Sequence, residues 1–431
     1  MNITSALRAS LLHFSDNPAH QEGAMHWHSD GLLLLAGDKI AAAGDYAALQ
    51  HLIPNNLSVE HHPGKIIMPG FIDTHIHYPQ TDMIASPAPG LLPWLEQYTF
   101  PTERQFQDPA HANEVAAFFL DELLRAGTTT AMVYCTVHSA SVEAFFNQSE
   151  QRDLRMVAGK VLMDRHCPEF LQDTAETGAR DSEALIQRWH HRGRQLYALT
   201  PRFAPTSTPE QLHLTGELAK AYPDTFIQTH VAENKDECAW ARSLFPEARS
   251  YLDIYDRVGL MRPRAMYAHC IWLDDIDRQR MAETQSAVAL CPTSNLFLGS
   301  GLFDFDKADA AHVPLSMATD VGGGTSFSML QTMNETYKVA RMGGRYLPAS
   351  SMFYTATLGA ARAMQLENVI GSLKVGNEAD FILVNPQATP LLARRSKHVN
   401  SLEEQLFVLA MLGDDRCIEA TYAAGKKVHQ R

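Results

Sequence analysis

The hydrophobic pattern divides the chain into three stretches. Near the start, Gly31-Leu-Leu-Leu-Leu-Ala36 is an apolar run, Gly37-Asp38 reads as a turn, and Lys39-Ile-Ala-Ala-Ala-Gly44 returns as a hairpin partner. The end of the chain looks similar. Ala379-Asp-Phe-Ile-Leu-Val384 is strand-like, and Thr421–Val428 reads as a hairpin turning at Gly425. Both ends are therefore expected to be β-rich and without long helical periodicity.

Between them, apolar runs of strand length alternate with amphipathic helical stretches. The expected strands are Phe71–His77, Thr128–Cys135, Arg155–Met163, Leu196–Phe203, Phe226–Glu233, Arg264–Cys270, Ala287–Pro292 and Pro314–Asp320. Asp108-Pro109 is a helix start, with Asp as N-cap and Pro at the first helical position. Val115–Arg125 then carries an apolar face and stops at Gly127. Eight strands alternating with helices predict an α/β protein, a (β/α)8 TIM barrel rather than an open doubly wound sheet. No GxGxxG follows a strand and there is no P-loop, so nucleotide-cofactor folds lack support.

Composition narrows the classes. The chain has 431 residues, 45% apolar and 20% charged, which excludes disordered, collagen-like and coiled-coil chains. Lys+Arg 36 against Asp+Glu 49 gives a net charge of −13, and no basic run interrupts it, so nucleic acid is a poor partner. The six cysteines are scattered without a CxxC pair, which suits free thiols in a reducing cytosol. No apolar run approaches the ~20 residues of a membrane span. The N-terminal residues show no cleavage signature, and the expected location is cytoplasmic.

The sharpest local signal is Asp73-Thr74-His75-Ile76-His77. Residues i and i+2 of a strand project to the same side, so two imidazoles ~7 Å apart along the strand can close on one ion. In a barrel of this type the remaining ligands come from the C-terminal ends of other strands. His230, His269 and Asp320 each end an apolar run there. Imidazoles with one carboxylate favour zinc, with iron as the alternative, and leave room for an activated water. The expected chemistry is hydrolytic. Glu233, three residues past His230, is placed to move a proton to a leaving amine. Asp320, hydrogen-bonded near His269, is the candidate base for the water.

These residues resemble the amidohydrolase superfamily, and within it the branch that deaminates guanine. The resemblance spans nearly the whole chain. It is carried by Met68–Gln80, Phe100-Pro-Thr-Glu103, Gly127–Thr130, Thr200–Pro205, Thr229–Asn234, Ala268–Cys270, Cys291–Asn295 and Thr319-Asp320. It implies that His75, His77, His230 and Asp320 hold one zinc, that His269 contacts the metal-bound water, and that Glu233 shuttles the proton. It also implies that Gln80, Arg202 and Phe203 hold the purine beside His77, His230, Glu233 and Asp320. Arg202 would donate to the 6-oxo group and stand unpaired against adenine, while Gln80 would offer both donor and acceptor. The implied reaction turns guanine into xanthine and ammonia in purine catabolism. Another mononuclear deaminase or hydrolase, acting on 8-oxoguanine, cytosine or a triazine, is the alternative. The implied architecture is a barrel over residues 69–368 flanked by a small β-sandwich built from residues 1–68 and 369–431, in a homodimer. Lys160 lies on the third strand, where a structural partner is expected rather than a bridge to a second metal.

Overall fold

The computed structural model describes residues 2–431. Four strands open the chain: β1 Ser5–Phe14, β2 Met25–Ala36, β3 Lys39–Asp45 and β4 Val59–Pro69. The predicted hairpin at Gly37-Asp38 joins β2 to β3, with Gly37 at φ 66° where a side chain would strain the turn. The barrel strands follow: β5 Phe71–His77, β6 Thr128–Tyr134, β7 Arg155–Gly159, β8 Val161–Leu162, β9 Leu196–Pro201, β10 Phe226–Val231, β11 Ala265–His269, β12 Ala287–Leu290 and β13 Leu315–Met317. Three strands close the chain: β14 Phe381–Val384, β15 Ile418–Ala423 and β16 Lys426–Gln430.

The barrel path runs β5-β6-β7-β9-β10-β11-β12-β13, all parallel, with β8 continuing beyond β7 to pair with β9. Both faces of these strands are buried, as parallel barrels require. Ile72, Met132, Val157, Phe226 and Met266 share an interior cluster with Ala360 and Ala361 of the helix Leu358–Ala363. The alternate residues Val133, Ala158, Tyr197, Ile227 and Val288 meet the surrounding helices through Phe119, Phe145, Leu185 and Trp189. Burying one such side chain is worth roughly 1.5–3 kcal/mol. The helix Pro109–Arg125 begins as expected, with the Asp108 carboxylate accepting from the Ala110 amide. Of the methionines between Met317 and Met342, Met317, Met329 and Met333 are core and Met342 is exposed.

The two chain ends meet in one seven-stranded sheet, ordered β16-β15-β14-β4-β1-β2-β3. One expectation fails here. The C-terminal stretch also carries helices at Pro390–Ser396 and Leu402–Leu412. The second buries Leu406, Val408, Leu409 and Ala410, so its apolar residues run together and show no clean periodicity. All six cysteines are unpaired. Among the described residues no helix is long and apolar enough to cross a membrane.

Candidate active site

The first and last barrel strands are seamed where their side chains are needed. The His75 carbonyl accepts from the Asp320 amide at 2.9 Å, and the His77 amide donates to the Val321 carbonyl at 2.7 Å. Buried Asp73 reinforces the seam, accepting from the Thr319 amide at 3.1 Å and from the Thr319 hydroxyl, and from the His75 amide at 3.2 Å. The strands predicted to end in functional residues stop slightly short of them. Arg202, Glu233 and Asp320 lie just beyond β9, β10 and β13. His269 and Asp320 take φ of 73° and 52°, a left-handed conformation that costs a side-chain-bearing residue ~1–2 kcal/mol. The seam and the neighbouring strands hold them there.

Four donors converge at this point. His75 Nε2 and His77 Nε2 are 3.2 Å apart, as are His77 Nε2 and His230 Nε2, and Asp320 Oδ1 lies 3.3 Å and 3.5 Å from the first two. The His75 and His77 rings lean together, with centroids 5.0 Å apart. Burial, with help from neighbouring cationic and imidazole groups, pushes the pKa of all three imidazoles well below the usual histidine value, so their lone pairs are free. The His230 Nδ1–H donates to the Arg202 carbonyl at 2.6 Å, which fixes the tautomer and leaves Nε2 as a donor to metal. Three neutral imidazoles aiming lone pairs at one point repel unless a cation sits among them. Tetrahedral zinc with bonds of ~2.0–2.1 Å sets donor separations of roughly 3.3–3.4 Å, close to those observed. The donor set therefore fits zinc.

Further ionisable side chains stand beside the cluster. His269 Nδ1 lies 2.8 Å from Asn295 Oδ1, so Nδ1 carries the proton, and its Nε2 has no hydrogen-bond partner. Glu233 Oε2 lies 3.4 Å from that Nε2, and Glu233 Oε1 accepts from the Ser300 hydroxyl at 2.8 Å. Burial first, then the charge of Asp320, pushes Glu233 up to about 8. Burial pushes Asp320 up to about 6. His269, Glu233 and Asp320 line a pocket with about 430 Å³ of empty space, counted with the solvent at its mouth, together with Gln80, Arg202, Phe203, Leu91, Trp94 and Leu298.

Residues 66–428, from the end of β4 through β16, match the amidohydrolase family. The chain belongs to the amidohydrolase family. It is 48% identical to a guanine deaminase of Escherichia coli over 429 residues, covering 99% of this chain and 98% of the relative. The solved structure of E. coli guanine deaminase superposes with a TM-score of 0.97 at 47% identity, covering 99% of this chain and all of that one. A guanine deaminase from C. acetobutylicum, solved with guanine in its active site, superposes with a TM-score of 0.88 at 25% identity, covering 99% of this chain and 100% of that one.

The geometry of this amidohydrolase gathers every residue singled out in the sequence, His75, His77, Gln80, Arg202, Phe203, His230, Glu233, His269 and Asp320, around one pocket. Three expectations change. Asp320 Oδ2 stands 3.8 Å from His269 Nε2, beyond hydrogen-bond range, as β12 lies between the strands that lead to the two residues. Arg202 is not a lone cation: its Nη1 donates to Glu103 Oε2 at 2.7 Å, with both side chains buried. Gln80 is not free at both ends. Its Nε2 donates to Glu103 Oε1 at 3.2 Å, and its Oε1 accepts from the Gly322 amide at 3.2 Å. Lys160 pairs with Asp173 and takes no part in the donor cluster. Asn295, Ser300 and Trp94 were not anticipated. Asn295 lies in the quoted Cys291–Asn295 motif, the one sequence signal that pointed near it.

Proposed function

We propose that the chain catalyses hydrolytic deamination of guanine to xanthine and ammonia, with one zinc held by His75, His77, His230 and Asp320. The observation that carries this reading is that the four-donor cluster, the Arg202–Gln80 pair and Glu233 share one pocket. Near-half identity to a guanine deaminase over the full length supports the same substrate.

His75, His77, His230 and Asp320 would hold the zinc, which would supply a water of lowered pKa, from ~15.7 toward ~7, near C2 of the purine. The chain's own residues do the rest. Asp320, itself one of the four donors through Oδ1, takes a proton from the attacking water on its other oxygen, Oδ2. His269 accepts a hydrogen bond through its unpartnered Nε2 and holds that water toward C2. Glu233, pushed up to about 8, enters protonated near neutrality and gives its proton to the adjacent ring nitrogen. As the C2–N bond breaks, the now ionised Glu233 takes the proton of the new C2 hydroxyl and passes it to the leaving amine, which departs as ammonia while C2=O forms. The proton on Asp320 returns to Glu233 and restores the starting state. Arg202 and Gln80 orient the ring by hydrogen bonds, and Phe203, Trp94 and Leu298 exclude bulk water.

Ammonia release tests the reading, using guanine, 8-oxoguanine, adenine, cytosine and a triazine as candidates. Guanine is turned over and adenine is not, since adenine lacks the oxo acceptor that the Arg202 end requires. Arg202→Ala lowers kcat/KM for guanine by at least ~10²-fold while metal analysis still finds one zinc per chain. Efficient adenine or cytosine deamination, or two metals per chain, overturns it.

A further inference from the structure

The buried triad Glu103–Arg202–Gln80 is built in a particular order. Gln80 and Arg202 line the pocket, while Glu103, 1% exposed, stands behind both. Its two oxygens are divided between them, Oε2 for Arg202 Nη1 at 2.7 Å and Oε1 for Gln80 Nε2 at 3.2 Å. A carboxylate only accepts, so it determines which way the Gln80 amide lies. The opposite orientation would face the Gln80 oxygen to the carboxylate and its NH2 to the Gly322 amide, two like-with-like contacts. Phe100, one turn before Glu103 on the same short helix, packs its ring 5.4 Å from the Arg202 guanidinium. Arg202 is thus held from behind and from the side, and its remaining N–H groups are left for the ligand.

Charge makes this arrangement more than a scaffold. An Arg alone at the end of a buried pocket favours an anionic ligand. An Arg paired with a carboxylate offers donors without a net charge. We infer that Glu103 makes this pocket selective for neutral oxo-purines, positioning Arg202 and Gln80 from behind and cancelling the charge that would hold an anion. The inference rests on the guanine-deaminase reading and deepens it. Guanine is neutral near pH 7. Xanthine, the product of that reaction, is the more acidic purine and loses a proton in mildly alkaline solution. A neutralised recognition end binds guanine and lets ionised xanthine go, which limits product inhibition.

The test compares zinc-loaded wild type, Glu103→Gln and Glu103→Asp, measuring guanine kinetics and xanthine binding by competition and by calorimetry from about pH 6 to pH 9. In wild type, xanthine binding weakens several-fold as xanthine ionises. In Glu103→Gln the KM for guanine rises ~10-fold or more with a smaller change in kcat, and the weakening of xanthine with pH is lost or reversed. Glu103→Asp restores the wild-type slope even where its KM is poor, which separates charge from geometry. Zinc content and Tm report whether each variant is folded. If Glu103→Gln does not fold, the wild-type slope still decides, because tight binding of the xanthine anion overturns the inference. A folded Glu103→Gln with wild-type KM and slope overturns it as well. A wild type that binds neutral xanthine selectively but never turns over guanine would overturn the substrate reading instead, and the two failures are distinct.

Discussion

Glu233 meets Ser300 through one oxygen and faces His269 through the other, at 2.8 Å and 3.4 Å. Its backbone amide is held as well, donating to Glu237 Oε2 at 2.9 Å. In the proposed reaction a carboxyl held in this way would be oriented before substrate arrives. Glu233→Gln keeps the size and the Ser300 contact but cannot cycle a proton. Turnover is expected to fall by ~10²–10⁴ with zinc content unchanged, checked by steady-state kinetics beside metal analysis. A near wild-type rate would move the proton relay to another carboxylate. At this scale His77, His230, His269, Asp320 and Glu233 were legible because each lies at or just past the end of an apolar strand, and His75 because it stands two residues before His77. Glu103, Asn295 and Ser300 were not legible in these roles. Their partners lie 99, 26 and 67 residues away in the chain, and only the fold brings each pair together.

At the scale of elements, the third barrel strand is broken into β7 and β8 at Lys160. Gly159 stands at that break because β9 passes too close for a side chain. A Cβ there would lie 1.7 Å from the Ala198 carbonyl oxygen, a backbone atom that cannot swing away. Gly159→Ala therefore forces β7 from β9, the strand that leads to Arg202. Overpacking of this kind costs about 1–3 kcal/mol, or more where backbone must shift. The expected result is a lower urea midpoint and a raised KM for guanine, measured on the same preparation. Unchanged values for both would show that the strands part without cost. The eight barrel strands were readable from alternation with helices and from uninterrupted apolar runs. The helix Leu402–Leu412 was hidden, because a segment buried on several sides loses the period that marks a helix. The helical segment Leu91–Gln107, which brings Trp94 and Glu103 to the pocket, was hidden for another reason. It is a string of short helical turns, each too brief to carry a periodic pattern.

For the whole molecule, one carboxylate ties the barrel to the sheet made by the chain ends. Glu378, just before β14, receives Arg155 Nε at 2.7 Å from the start of β7 and Arg194 Nη2 at 2.6 Å from the turn before β9. Arg194 also bonds Asp380, whose other oxygen accepts from the Ala424 amide at 2.8 Å beside β15. Burial raises the pKa of both acids. At Asp380 it prevails, and at Glu378 the two arginines outweigh it and hold the group at about 2 against a usual 4.5. A depressed carboxylate stabilises the fold above its unfolded pKa and loses that contribution as pH falls through the folded value. Glu378 thus contributes up to about 3 kcal/mol at neutral pH, given ~1.4 kcal/mol per pKa unit, and the loss falls between pH 4.5 and 2. Glu378→Gln removes the charge and leaves two buried guanidinium groups short of a partner. Urea unfolding of wild type and variant, followed by tryptophan fluorescence at pH 7, 5, 4 and 3, measures the difference directly. The variant is expected to be less stable by a few kcal/mol at pH 7 and pH 5, with the gap narrowing at pH 4 and further at pH 3. The donor cluster lies at the opposite ends of the barrel strands, so zinc content and guanine KM should stay at wild-type values under native conditions. A gap that stays constant down to pH 3 would mean that Glu378 holds the two sheets together by packing and hydrogen bonding rather than by its charge.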